Sequence, residues 1–195
     1  TVAAALEEGL SNGFEYHDCG GFKEVGGWRI RCVARNGHGP LTVEEGIMKS
    51  CNIVMMDLAA QMGRDRFSHY QELFGFGSRT GIDLPGEADT KNLVYSVDRM
   101  GPTELATNSF GQNYNCTMVQ MAAAYCSIVN GGSYYEPHVV KQIVNEQGAV
   151  VRKIEPKLVR ETVSKSTSDY LKNAMFKTVD SGTGSAAAVT GYQVG

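Results

Sequence analysis

The sequence predicts an α+β domain, with a mainly helical block over residues 1–132 and a strand-bearing remainder over 133–195. Three observations lead there. Two capping-box patterns, Thr42 with Glu45 and Thr117 with Gln120, each stand ahead of a run with helical apolar spacing. β-Branched residues gather on both sides of Glu146-Gln147-Gly148, the pattern of a hairpin. A chain of 195 residues and 21.1 kDa is long enough for one sizeable core and does not require two.

Each element has a local reason. VAAALEEGLSNG reads as the rear of a helix that Gly9 or Gly13 stops, with no cap at its front. Residues 14–35 carry short strands punctuated by Gly20-Gly21 and Gly26-Gly27, and Asn36 to Pro40 is a loop. TVEEGIMKS is a short capped helix. IVMMDLAAQM is an apolar helix ending at Gly63, and DRFSHYQELF continues to Gly75. The glycine-rich GFGSRTGIDLPGEAD is a surface turn. TELATNS forms a short helix after Gly101-Pro102, and MVQMAAAYCSIV is a helix whose alanines suit close packing on a neighbour. SKSTSDYLKNAMFKTVD is amphipathic, with Tyr170, Leu171, Ala174, Met175 and Val179 on its expected buried face. The closing VTGYQVG reads as part of a strand or hairpin. Both ends therefore look cut, and the strand layer looks incomplete.

Composition excludes several function classes. The net charge is -3 and the Lys and Arg residues are scattered, so no nucleic-acid surface is expected. No apolar segment reaches the length of a membrane span, and no signal peptide is present. The five cysteines form no CxxC pair, and His17, His69 and His138 have no clustered carboxylate partners in sequence, so no metal site is expected. Cys126 falls on an apolar helix face and reads as an inert buried thiol. Cys19, Cys32 and Cys51 sit in more polar contexts, where an oxidising compartment permits one disulfide. His38 in NGHGP reads as a loop-ordering residue.

The segment Ser50-Cys51-Asn52 is where a loop turns into an apolar helix. Taken alone, it is a capping pattern, with Asn52 as the helix N-cap. Its surroundings add a second reading. EEGIMKSCNIVMMDLAAQMG, GFGSRTGIDLPGE, ATNSFGQ, VQMAAAYCSIVNGGSYYEPHVV and SGTGSAAAVTGYQVG together resemble, in order and over the whole chain, the transpeptidase domain of class B penicillin-binding proteins. The resemblance implies the serine D,D-transpeptidase or β-lactamase-like fold in part: a helical block and an incomplete antiparallel sheet.

It also implies a chemistry. Ser50 and Asn52 would be the family's Ser-x-Asn motif. Ser50 would help carry a proton to the leaving amine, and Asn52 would bond the substrate amide and help hold a lysine. The nucleophilic Ser-x-x-Lys and the strand-borne Lys-Thr-Gly do not occur in these residues, and would lie before Thr1 and beyond Gly195. The resemblance implies acyl transfer between D-Ala-D-Ala stem peptides, acylation by β-lactams and no cofactor. It further implies cell-wall synthesis proteins as partners, and a site on the outer face of the bacterial cell membrane, anchored by a segment outside this chain. The chain by itself is expected to be inactive. A non-catalytic binding or sensing homologue is the alternative, and a β-lactamase is a weaker third.

Gln112 in SFGQ matches a position near the family's cleft. Asn113-Tyr114-Asn115-Cys116 departs from the family's usual following glycine, so Gln112 reads as structural or as substrate-proximal. Cys51 lies between two residues that need accurate placement. It is either a space-filling thiol or one half of a Cys32–Cys51 redox pair.

Overall fold

The computed structural model describes residues 1–195. Helices begin where the sequence supplies caps. In α2 (Val43–Met48), the Thr42 hydroxyl accepts from the Glu45 N–H at 3.2 Å and the Glu45 carboxylate accepts from the Thr42 N–H at 2.9 Å. The same reciprocal pair, Thr117 with Gln120, opens α5 (Met118–Val129). α1 (Val2–Glu7) and α4 (Pro102–Ser109) are short, the latter with proline at its first position, where no N–H is needed. α3 (Asn52–Leu73) crosses the domain in two pieces. Gly63 breaks it with φ 75° and ψ 164°, a backbone state open to glycine.

The strands form four two-stranded antiparallel ribbons. β1 (Tyr16–Cys19) pairs with β4 (Gly39–Thr42), and β2 (Phe22–Val25) pairs with β3 (Trp28–Arg31) across Gly26-Gly27. β5 (Ser133–Tyr135) pairs with β8 (Leu158–Glu161), and β6 (Gln142–Val144) with β7 (Val150–Lys153) forms the expected hairpin. The closing residues do not form the expected strand. After α6 (Lys165–Ser181) and a single 3-10 turn at Ser185–Ala187, residues 188–195 pair with nothing in a ladder.

One apolar core joins both stretches of the chain. α1 packs on α3, and Ala4 and Ala5 of the one and Val54, Leu58 and Ala59 of the other belong to a cluster that also takes in Leu41, Met100, Val163 and Leu171. Each large side chain in it contributes about 1.5–3 kcal/mol on burial. The alanines of α1 let its backbone lie close to α3. Polar groups inside are partnered across elements: Gln120 is fully buried, and its amide donates to the Ser78 carbonyl at 2.5 Å and the Thr90 hydroxyl at 2.7 Å.

Two burial expectations are corrected. Cys126 is exposed, because α5 turns Ala123, Ala124 and Ser127 inward instead. In α6, Leu171 and Ala174 are buried as expected, but Thr167 and Ser168 join them while Tyr170, Met175 and Val179 are only half-buried. Ser168 is tolerated inside because its hydroxyl donates to the Ile128 carbonyl at 2.5 Å. No helix is long and apolar enough to cross a membrane.

α1 and α6 are tied by Glu7, whose carboxylate accepts from the Ser164 N–H at 3.0 Å and the Ser164 hydroxyl at 2.7 Å. Partial burial raises the Glu7 pKa, but the hydroxyls of Thr167 and Ser164 and the Ser164 N–H outweigh it and hold the group below 4.5. A depressed folded-state pKa contributes stability that is complete above the unfolded value and is lost as pH falls through the folded one. Glu7→Gln is therefore expected to cost about 1 kcal/mol at pH 7 and to lose that difference from wild type below pH 4.5, as read by urea denaturation at the two pH values.

Candidate active site

The corner between α2 and α3 carries Ser50, Cys51 and Asn52. α2 ends with the Ser50 N–H donating to the Ile47 carbonyl at 3.1 Å and the Cys51 N–H donating to the Gly46 carbonyl at 2.8 Å. Two residues after Met48 the chain must reverse into α3, and Ser50 takes a left-handed conformation with φ 53°. A serine held there is strained by about 1–2 kcal/mol. The corner is also tight sideways. A Cβ added to Gly46 would meet the Val54 side chain at 2.9 Å, so glycine is what lets α2 lie against the first turn of α3.

The capping reading of Asn52 is corrected here. Cys51 is the N-cap, with extended backbone and no side-chain cap bond, and Asn52 is already the first helical residue. The Asn52 amide instead donates across to the Arg31 carbonyl at 3.0 Å, at the end of β3. That uses one of its two N–H donors. The second N–H and the amide oxygen remain for a ligand.

Ser50, Cys51 and Asn52 line a cleft of about 430 Å³. Its walls are mostly apolar, with Met55, Phe74, Phe76, Phe110 and Ile128, and Thr1 at the start of α1 opens into it as well. An apolar cleft with a few polar groups converging on it is the usual form of a small-ligand site. Ser50 is exposed at the rim. Gln112 is not among the lining residues. It is exposed, and its N–H is spent on the Thr107 carbonyl at 3.0 Å, while Phe110 and Gly111 just before it do face the cleft. A second cavity of about 440 Å³ lies between β2, α3 and α4, with Lys23 and Arg64 on its wall, and neither Ser50 nor Asn52 reaches it.

Beneath the corner, Cys51 is fully buried and its sulfur lies 3.8 Å from that of Cys32, both as free thiols. Burial pushes the Cys51 thiol up to about 12. Burial also acts to raise Cys32, but the backbone N–H groups of Ala34 and Asn52 and the Cys19 and Cys51 thiols outweigh it and lower that thiol. The imidazole of His38 stands 3.7 Å from the Cys32 sulfur, and the His38 N–H orders the loop by donating to the Cys19 carbonyl at 3.0 Å. Cys19, Cys32, His38 and Cys51 thus bring four metal-ligating atoms within 4.8 Å of one another. The expectation of no metal site rested on the lack of short Cys and His spacings. Cys19 comes from β1, Cys32 and His38 from the β3–β4 loop and Cys51 from the start of α3, a combination that no CxxC-type spacing registers.

His17 was likewise read as lacking clustered carboxylate partners. It is buried, with Nδ1 3.1 Å from Asp57 and Nε2 3.8 Å from Glu15, and Asp57 also accepts from Lys23. This group fastens β1 and β2 to α3, below the corner.

Comparison with known proteins decides the family. The sequence profile of the penicillin binding protein transpeptidase domain matches residues 1–195. The chain belongs to this family. It is 38% identical over 198 residues to stage V sporulation protein D of Bacillus subtilis, covering 100% of this chain and 30% of that protein. Among solved structures it is similar to the D,D-transpeptidase domain of a peptidoglycan glycosyltransferase from Eggerthella lenta, with a TM-score of 0.88 and 26% identity over 98% of this chain and 49% of that one. It is also similar to penicillin binding protein 3 of Mycobacterium tuberculosis complexed with aztreonam, with a TM-score of 0.86 and 28% identity over 98% of this chain and 44% of that one. The fold is that of these transpeptidase domains: α+β, helices with small antiparallel ribbons.

The penicillin-binding fold makes two substitutions at the corner informative. Ser50→Gly removes left-handed strain and is expected to leave thermal stability unchanged or raise it by about 1 kcal/mol. Gly46→Ala drives α2 off α3 and is expected to cost about 1–3 kcal/mol. Paired thermal melts check both. A destabilised Ser50→Gly would contradict the strain, and a neutral Gly46→Ala would contradict the close approach.

Proposed function

We propose that residues 1–195 form one domain segment of a peptidoglycan D,D-transpeptidase, and that Ser50 and Asn52 are one wall of its serine-acylation site. The observation that carries this reading is the shared cleft: the start of α1 and the Ser50–Asn52 corner open into the same space. By the family resemblance, a nucleophilic serine and its lysine sit at the head of the α1 helix, so this cleft is where they would act.

The chemistry follows from what a serine needs. Its hydroxyl is a weak nucleophile until a neighbouring base removes the proton, and the tetrahedral intermediate needs donors aimed at its oxygen. Ser50, with its hydroxyl exposed at the rim, is suited to pass a proton between the lysine and the leaving amine. Asn52, pinned through Arg31, presents its remaining N–H and oxygen to a peptide amide without reorganising. The apolar walls strengthen these contacts by excluding water. The substrates proposed for the whole protein are stem peptides ending in D-Ala-D-Ala, and β-lactams are the compounds that trap the serine. Its place is the outer face of the bacterial membrane, among other cell-wall synthesis proteins. Gln112 is assigned a structural role beside the cleft.

The test is covalent labelling of the longer protein by a fluorescent penicillin. Ser50→Ala and Asn52→Ala are each expected to slow acylation roughly a hundredfold with the fold retained by circular dichroism. Unchanged acylation in both variants would overturn the assignment. A longer protein that takes no label at all would favour a binding or sensing role, and labelling of residues 1–195 alone would show that the nucleophile had been misplaced.

A further inference from the structure

We propose that Cys19, Cys32, His38 and Cys51 form a structural zinc site that fastens the α2–α3 corner from below. The four donor atoms lie within 4.8 Å of one another, and all three cysteines are buried. Two of the six edges match those of a tetrahedron around zinc. Bonds of about 2.3 Å to sulfur and about 2.0 Å to nitrogen give edges of about 3.8 Å between sulfurs and about 3.5 Å between sulfur and nitrogen. The Cys32–Cys51 sulfurs are 3.8 Å apart, and Cys32 Sγ lies 3.7 Å from His38 Nδ1.

The donor set selects the metal class. Three sulfurs and one imidazole suit a soft-to-borderline ion such as zinc, whereas magnesium and calcium require oxygen ligands. Four protein donors complete a tetrahedron and leave no open position for substrate, so the site holds structure and does no chemistry itself. A disulfide between Cys32 and Cys51 accounts for only two of the four groups. It leaves unexplained why Cys19 and the His38 ring converge on the same point.

The four ligands also come from the places that need joining. Cys19 ends β1, Cys32 follows β3, His38 precedes β4, and Cys51 is the N-cap of α3. One ion would connect the two ribbons to the residue between Ser50 and Asn52. The metal assignment stands without the catalytic reading; only its consequence for the positions of Ser50 and Asn52 rests on that reading.

Two measurements test the site directly. The protein purified under reducing conditions, without added metal, is expected to carry about one zinc per chain by elemental analysis. After removal by a chelator, titration with Co²⁺ is expected to give the visible bands of a tetrahedral cobalt site together with a thiolate charge-transfer band. Cys19→Ser and His38→Ala are each expected to weaken Co²⁺ binding tenfold or more and to change that spectrum. If a variant fails to fold, the wild-type cobalt spectrum decides by itself. The proposal is overturned if wild type gives neither bound zinc nor the cobalt spectrum. It is overturned equally if both variants bind cobalt as wild type does, or if Cys32 and Cys51 are found as a disulfide in reduced, thiol-blocked preparations. Metal content is read without any acylation, so its failure leaves the transpeptidase assignment untouched.

Discussion

The reversal of the chain between α2 and α3 is the constraint from which the rest of the site follows. Two helices meet there with two residues, Lys49 and Ser50, between the end of one and the N-cap of the next. Gly46 lets them touch, the Cys51 N–H closes on the Gly46 carbonyl, and Ser50 absorbs the turn in a left-handed conformation. Strain of this kind survives only where surrounding packing over-determines it. Here the surroundings are Val54 on one side and the buried Cys51 on the other. The outcome is a serine pushed out at the rim of a cleft and an asparagine turned across to β3.

Everything beneath the corner serves to hold α3 in place. α1 packs its alanines on α3, and the His17–Asp57–Lys23 group fixes the β1 and β2 strands to it. The buried Gln120 binds the 78–90 loop to α5, so that the far wall of the cleft is fixed as well. A rigid frame of this sort suits an acyl-transfer site. Donors that are already aimed need no reorganisation when charge develops.

What could be read from the sequence was what is decided locally. Both capping boxes, the break at Gly63 and the β6–β7 hairpin follow from a few adjacent residues, and each stands where its residues indicate. Burial that depends on distant partners was not legible. Cys126 looked buried and is exposed, while Cys19, Cys32 and Cys51 looked polar in context and are buried, because the first faces out of α5 and the others converge from separate elements. The nearer carboxylate partner of His17, Asp57, was hidden for the same reason: it is forty residues away in sequence. The Ser-x-Asn segment lay between these cases. Its residues alone indicated a helix cap, which proved to be Cys51 rather than Asn52; its wider resemblance indicated a site, and both Ser50 and Asn52 line a cleft.

The central claim is that Ser50 and Asn52 face the reacting group together. The most direct measurement is a crystal structure of the longer protein acylated by a β-lactam. The account predicts the ligand in the cleft between α1 and the corner, with the Asn52 amide or the Ser50 hydroxyl about 3 Å from the ligand's polar atoms and the Asn52–Arg31 bond kept. A ligand bound covalently elsewhere, with both side chains out of hydrogen-bonding reach, would contradict it.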